Sequence, residues 1–192
     1  MKFLIAGFGS IGRRHFRNLL SLGIDDIVFF RSNQSTISDD EIADFLVETD
    51  LQSALSHKPD AVIIANPTSL HLDVAIQAAK LGCHLFIEKP ISHSLERVDL
   101  LQKALQQGGG KVFTAFQFRF HPGLLTIKNL ISSPSSIIGH PLYVRSHWGE
   151  HLPSWHPWED YRKGYSARAD LGGGVVLTLC HPLDYVHWIF GE

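Results

Sequence analysis

The 192-residue chain reads as an α/β protein whose first part is a doubly wound parallel sheet. Three observations predict this. Apolar runs and helix-periodic segments alternate from residue 1 to about residue 120. The clearest run, DAVIIANP, is continuously apolar rather than alternating, as a strand covered on both faces should be. The first strand and helix are joined by Gly7, Gly9 and Gly12, with the spacing of a phosphate-cradling turn.

The elements follow in order. KFLIA is a short buried strand, and Ile11, Phe16, Leu19 and Leu20 lie on one face of the helix after the glycines. DDIVFF predicts a second strand, followed by the polar loop RSNQSTISDDE. TDLQSAL predicts a helix capped by Asp50. DAVIIANP is the third strand, and SLHLDVAIQAAKLG a helix stopped at Gly82. HLFIEKP, SLERVDLLQKALQQ, a glycine turn and KVFTAFQF complete the alternation. Beyond it come a helix, RFHPGLLTIKNLI, and an alternating strand, PLYVRSHWG. The irregular stretch EHLPSWHPWEDYRKGYSARADLGGG is too aromatic for disorder and long enough to be functional. VVLTLCHPLDYVHWIFGE closes the chain as an apolar, helical segment.

Composition narrows the partners. A formal net charge of −2 and scattered basic residues give no stripe for nucleic acid. No run reaches the roughly 18 apolar residues of a membrane span, and the apolar start is too short for export, so a cytoplasmic protein is expected. Cys83 and Cys180 sit far apart in apolar stretches, as buried reduced thiols do. The chain has 12 histidines, but His140, His147, His151 and His156 form no compact ligand pattern, so no metal is expected.

Open parallel sheets bind ligands beyond the carboxyl ends of their strands, so those ends hold the candidate site. In the glycine turn, Gly7, Phe8, Gly9, Ser10, Ile11 and Gly12 would bring backbone N–H groups and a positive helix end to a pyrophosphate. The alternative is a glycine-rich turn with no ligand. After the second strand stand Arg31 and Ser32, where an acidic residue would hold ribose hydroxyls; an arginine there suits a 2′-phosphate and favours NADP over NAD. It can equally stack on adenine or be a solvated loop residue. Asn66, Pro67 and His71 end the third strand and could line the dinucleotide, unless Thr68 or Ser69 simply caps a helix and His71 is a surface residue. Glu88 and Lys89 place a carboxylate and an ammonium close to where a nicotinamide would lie, with Pro90 holding the lysine extended; the alternative is an exposed lysine with no role.

GFGSIGRRH, IIANPTSLH, EKP, FQFRFHP and GGGVVLTLCHPLD, in this order, resemble the glucose-fructose oxidoreductase, inositol dehydrogenase and MocA family over nearly the whole chain. The resemblance implies a Rossmann domain at 1–119 and, at 120–192, the start of an α/β substrate and oligomerisation domain, incomplete here because members usually run much longer than a chain ending at Glu192. It implies hydride transfer between a nicotinamide cofactor and a carbinol or carbonyl of a sugar, cyclitol or sugar derivative. Lys89 and His181 map onto the catalytic lysine and histidine, Asp184 onto a substrate-binding acid, and Gln117 onto a frequent asparagine at the cofactor.

Elementary chemistry agrees: removing hydride from a carbinol carbon needs a base at the hydroxyl, and a lysine can stabilise the alkoxide. A satisfied core histidine is the competing account of His181. Thr178 stands where many members carry an aspartate, and Pro182 would start a helix. Trp155, Trp158, Tyr161 and Tyr165 could stack on a sugar, and Arg119, Arg162 or Arg168 could meet an anionic substituent, although core packing explains aromatics equally well. Partners expected are a small sugar-like molecule and a second copy through the second domain. Thr178 and the early end also admit a different class of protein, one that binds nucleotide without catalysis.

Overall fold

The computed structural model describes residues 1–32, 40–133, 138–155, 157 and 160–191. Six strands, β1 (Phe3–Ala6), β2 (Ile27–Phe30), β3 (Leu46–Glu48), β4 (Ala61–Ile64), β5 (His84–Ile87) and β6 (Val112–Thr114), form one sheet. Its order is β3-β2-β1-β4-β5-β6, and every pairing is parallel. The order reverses direction between β1 and β4, which opens a crevice at the carboxyl ends of those two strands.

Both faces of the sheet are buried, which explains why its strands are apolar without alternation. Leu4, Ala6, Val28, Val62, Ile64, Leu85 and Ile87 pack on one side against α2 (Leu51–Ser56), α3 (His71–Lys80) and α4 (Val98–Gly108). Ile5, Phe29 and Ile63 point the other way, onto Phe16 and Leu19 of α1 (Ser10–Ser21). There Phe8, Phe16, Phe29 and Phe45 meet edge to face at centroid distances of 5.0–5.9 Å.

The expected helix caps and stops hold where chemistry demands them. Asp50 accepts the Ser53 N–H at 2.8 Å and opens α2. Neither Thr68 nor Ser69 caps α3; Thr68 instead starts a 3₁₀ turn, Thr68–Leu70, and is buried. α4 begins at Val98 rather than near Ser94, because Arg97 is left-handed (φ 66°) and interrupts the helical path.

Two expectations are corrected beyond residue 120. PLYVRSHWG is not a strand: residues 141–150 carry no ladder, since among the described residues no sheet edge accepts them, and a strand without a partner leaves its backbone groups to solvent. The closing segment is two helices, α6 (Val175–Thr178) and α7 (His181–Phe190), broken around Leu179–Cys180. Pro182 does occupy the first turn of α7. The sequence reading also missed β3, whose three residues are too few to show a period. α5 (Pro122–Ser132) packs on α7, where Lys128 Nζ donates to the Trp188 carbonyl at 2.6 Å. No helix among the described residues is long and apolar enough to cross a membrane.

Candidate functional site

The glycine turn joins β1 to α1 at the crevice, and its three glycines have three different reasons to be there. Gly7 has φ +95°, and a Cβ on it would lie 2.5 Å from the Asn66 backbone nitrogen, so the turn can close on β4 only without a side chain. A Cβ on Gly12 would lie 2.2 Å from the Gly7 carbonyl oxygen, so α1 can approach the turn only here. Gly9 is unlike both: nothing among the described residues lies within 4 Å of a Cβ on it. The packing of the described residues thus sets no need for a glycine at Gly9 and leaves open space over its backbone.

Gly9 is also the N-cap of α1, and no side chain caps that helix end or places an acid in its first turn. The positive end and unpartnered N–H groups therefore stay open to an anion. Ser10 and Ile11 flank a surface depression of this helix with Arg14, Arg17 and Asn18. Phe8, expected at the cofactor, turns its ring into the core with Arg13 over it at 4.4 Å, so only its backbone faces the turn. The room at Gly9 and the uncapped helix end fit the diphosphate of a dinucleotide.

At the end of β2, Arg31 is buried and Ser32 exposed. The loop that follows, 33–39, lies outside the described residues. At the end of β4, Asn66 Oδ1 is buried without a hydrogen-bond partner, and Pro67 follows it. His71 is no surface residue: it is 1% exposed, with Nδ1 and Nε2 each 3.0 Å from a carbonyl oxygen, those of Pro90 and Asn66. Burial holds its pKa below the ordinary range, and a neutral ring can donate to only one of the two carbonyls. It braces the ends of β4 and β5 instead of facing the crevice.

Beyond β5, Glu88 Oε1 pairs with His15 Nε2 at 2.7 Å, and Lys89 Nζ donates to the Thr178 carbonyl at 2.8 Å. Thr178 thus meets the lysine through its backbone, while its own Oγ1 is buried without a partner. His181 opens α7 beside them. The Gln117 amide nitrogen donates to its Nε2 at 3.3 Å, and its Nδ1 is buried and unpartnered. Burial first, then the Lys89 ammonium, push the His181 pKa down from 6.5 to about 4, so the ring is neutral at neutral pH.

The aromatic wall around His181 is not the one the sequence suggested. Trp148 lies parallel to the imidazole (22°, 5.9 Å), and Phe118 meets it edge-on at 4.9 Å. Trp148 sits in the misread PLYVRSHWG stretch, which offered no periodic signal for this role. Trp155 stands one step behind, its indole sharing the Glu150 carboxylate with Trp148. Tyr165 is partly open to solvent, and partial desolvation, with the Glu88 carboxylate and Cys180 nearby, raises its phenol pKa. Trp158 lies outside the described residues.

Arg119 and Asp184, expected to bind substrate, bind each other in a fork-to-carboxylate pair at 2.6–3.2 Å. Tyr161, Arg162 and Arg168 are exposed, the two arginines paired with Asp160 and Asp170. No group of three metal-ligating side chains occurs among the described residues.

Known proteins resemble this chain in sequence and fold. A family described as an oxidoreductase family with an NAD-binding Rossmann fold matches residues 1–116. The myo-inositol 2-dehydrogenase of Thermotoga maritima is 27% identical over 201 aligned residues, covering 100% of this chain and 55% of that protein. The 2,7-anhydro-N-acetylneuraminate hydratase of Mediterraneibacter gnavus is 32% identical over 163 residues, 83% of this chain and 40% of its own. The crystal structure of an NAD-binding protein from Listeria innocua matches with a TM-score of 0.74 at 22% identity, over 98% of this chain and 54% of that one. The chain thus spans between 40% and 55% of the length of these proteins. On the match over residues 1–116, the chain belongs to the glucose-fructose oxidoreductase, inositol dehydrogenase and MocA family of oxidoreductases with an NAD-binding Rossmann fold.

Proposed function

We propose that this chain carries the dinucleotide grip and the proton-transfer pair of a nicotinamide-dependent oxidoreductase acting on a carbinol or carbonyl of a sugar, cyclitol or sugar derivative. One observation carries the reading. The Lys89 ammonium, held on the Thr178 carbonyl three positions before His181, lies beside the crevice that the glycine turn opens and close enough to help keep that histidine neutral. Residues 1–119 form the dinucleotide domain, and those from 120 onward begin the substrate domain.

The diphosphate would lie on the Gly9–Gly12 backbone at the start of α1, with Asn66, Pro67 and Glu88 lining the path toward the nicotinamide. When bound, that ring supplies the hydride acceptor or donor. The remaining steps belong to the chain's own side chains. Neutral His181 accepts the hydroxyl proton of the carbinol. The Lys89 ammonium, fixed at one N–H by Thr178, offers its other donors to the developing alkoxide.

Gln117 decides which imidazole nitrogen carries the lone pair. With its amide N–H toward Nε2 the ring proton sits on the buried Nδ1 and the lone pair on Nε2, where a carbinol hydroxyl would take the place of that N–H. Trp148 and Phe118 exclude water from the ring. Arg119 acts here by neutralising Asp184.

The cofactor choice rests on Arg31, which favours NADP. Fluorescence titration with NADPH and NADH, in the parent and in Gly9→Asp, tests the grip. Micromolar binding lost in the variant is expected, and the tighter ligand reveals the choice. Absence of binding to the folded parent would sink the proposal. Hydride transfer from a panel of cyclitols and sugar acids, absent in Lys89→Met, tests the chemistry. Binding without turnover on any of them would favour the non-catalytic reading that Thr178 suggests.

A further inference from the structure

The segment that carries Lys89 is held by two histidines that the reaction itself does not use. His15 lies on α1, three residues past Gly12, and its pair with Glu88 is nearly buried, the side chains being 15% and 13% exposed. The His15 ring packs edge-on against Phe86 of β5 at 5.1 Å, so its direction is set by the strand that delivers Glu88. The other Glu88 oxygen, Oε2, accepts the backbone N–H of Lys89 at 3.3 Å. Fixing that carboxylate therefore fixes the peptide on which Lys89 is mounted. From α3, on the opposite face of the sheet, His71 meets the carbonyl of Pro90 at 3.0 Å. In the tautomer with its proton on Nδ1, His71 donates to Pro90, so that one bond holds the segment before the lysine and one behind it.

We propose that His15 is a positioning residue for Lys89. It acts through Glu88 and, with His71 on Pro90, clamps the Glu88–Pro90 segment between the two helical layers. The helix that opens on the glycine turn thus also sets the direction of the lysine ammonium. The role rests on the assignment of Lys89 to proton transfer. The bond needs only that the ring nitrogen donate, which both the neutral and the charged imidazole can do.

The test reads the lysine directly. Reductive methylation with formaldehyde and cyanoborohydride, resolved by mass spectrometry, gives the labelling rate of Lys89 relative to Lys103, an exposed lysine on α4 whose side chain is 66% exposed. In the parent, Lys89 should label slowly because its ammonium is held on the Thr178 carbonyl. His15→Phe keeps a ring against Phe86 but donates nothing to Glu88. The Lys89-to-Lys103 ratio should rise about fivefold, the effect of one hydrogen bond of ordinary net strength. His15→Gln, which can donate again, should bring the ratio back toward the parent value.

An unchanged ratio in folded His15→Phe overturns the proposal, as does a ratio in His15→Gln that stays as high as in His15→Phe. If His15→Phe does not fold, His15→Leu is read in its place by the same two criteria. NADH titration of the same proteins separates the two levels of the argument. A parent that binds no dinucleotide defeats the cofactor grip, whereas an unchanged labelling ratio defeats the clamp alone.

Discussion

Up to residue 116 the protein is held by buried apolar side chains; past it, among the described residues, only Cys180 and Ile189 join the buried hydrophobic set. The later region is fastened to the earlier one, and to itself, largely by polar bonds. Lys89 meets the Thr178 carbonyl, Gln117 meets His181, and Arg119 meets Asp184. Gly172 passes so close to the Thr68–Leu70 turn that a Cβ on it would lie 2.9 Å from the Ser69 nitrogen. A sheet covered on both faces can stabilise itself, because burial scales with apolar area. The site cannot: its histidine and lysine sit on separate elements, and directional bonds between those elements set their geometry.

The largest expected effect breaks the first region. Gly12→Ala drives a Cβ to 2.2 Å from the Gly7 carbonyl oxygen, so α1 or the turn must move. A loss of about 3 kcal/mol, read as a fall in melting temperature of about 6–12 °C, is expected by calorimetry. Gly9→Asp should melt close to the parent, since a side chain there meets nothing of the protein. Equal damage from both would erase the distinction between the packed glycines and the unpacked one.

Next, Arg119→Ala strips the partner from the Asp184 carboxylate, whose side chain is 8% exposed. Amide exchange across 181–190 should quicken about tenfold, the equivalent of about 1.4 kcal/mol of local opening, with β1, β4 and β5 unaffected. Exchange that accelerates equally throughout the sheet would mean the two regions open as one.

Lys89→Met sharpens the comparison electrostatically. The Lys89 ammonium is the second cause, after burial, of a His181 pKa near 4, so removing it should move that value upward toward 6.5, as followed by NMR titration. The sign follows from linkage. The unfolded chain protonates this histidine below about 6.5 and the folded one only near 4, so stability falls as pH drops through that window. The variant should lose less stability between pH 7 and pH 5 than the parent in urea unfolding. The smallest effect is Asp50→Ala, which deletes the α2 cap and should cost about 1 kcal/mol by the same measurement.

Much of the first region was legible because its signals are local. Continuous apolar runs marked β1, β2, β4 and β5, the glycine spacing marked the turn, and Asp50 marked a cap. β3 escaped, being three residues long and ordered by its neighbour β2. The alternation of PLYVRSHWG misled for the converse reason: a period of two describes side chains, while a strand also needs an edge to pair with. Lys89 and His181 were singled out through motifs, yet nothing in the order of residues announced Trp148 against His181, or Arg119 on Asp184.

Most of the sheet, the helices that cover it and the glycine turn were written into local stretches of sequence, because apolar periodicity and backbone freedom act over a few neighbouring residues. The folded arrangement alone shows that Gly9 stands clear of the protein while Gly7 and Gly12 do not, that His71 is buried between two carbonyls, that His15 reaches Glu88, and that His181 is neutral. Each of those depends on atoms brought together from distant positions, where distance, burial and charge take effect only once the chain has folded.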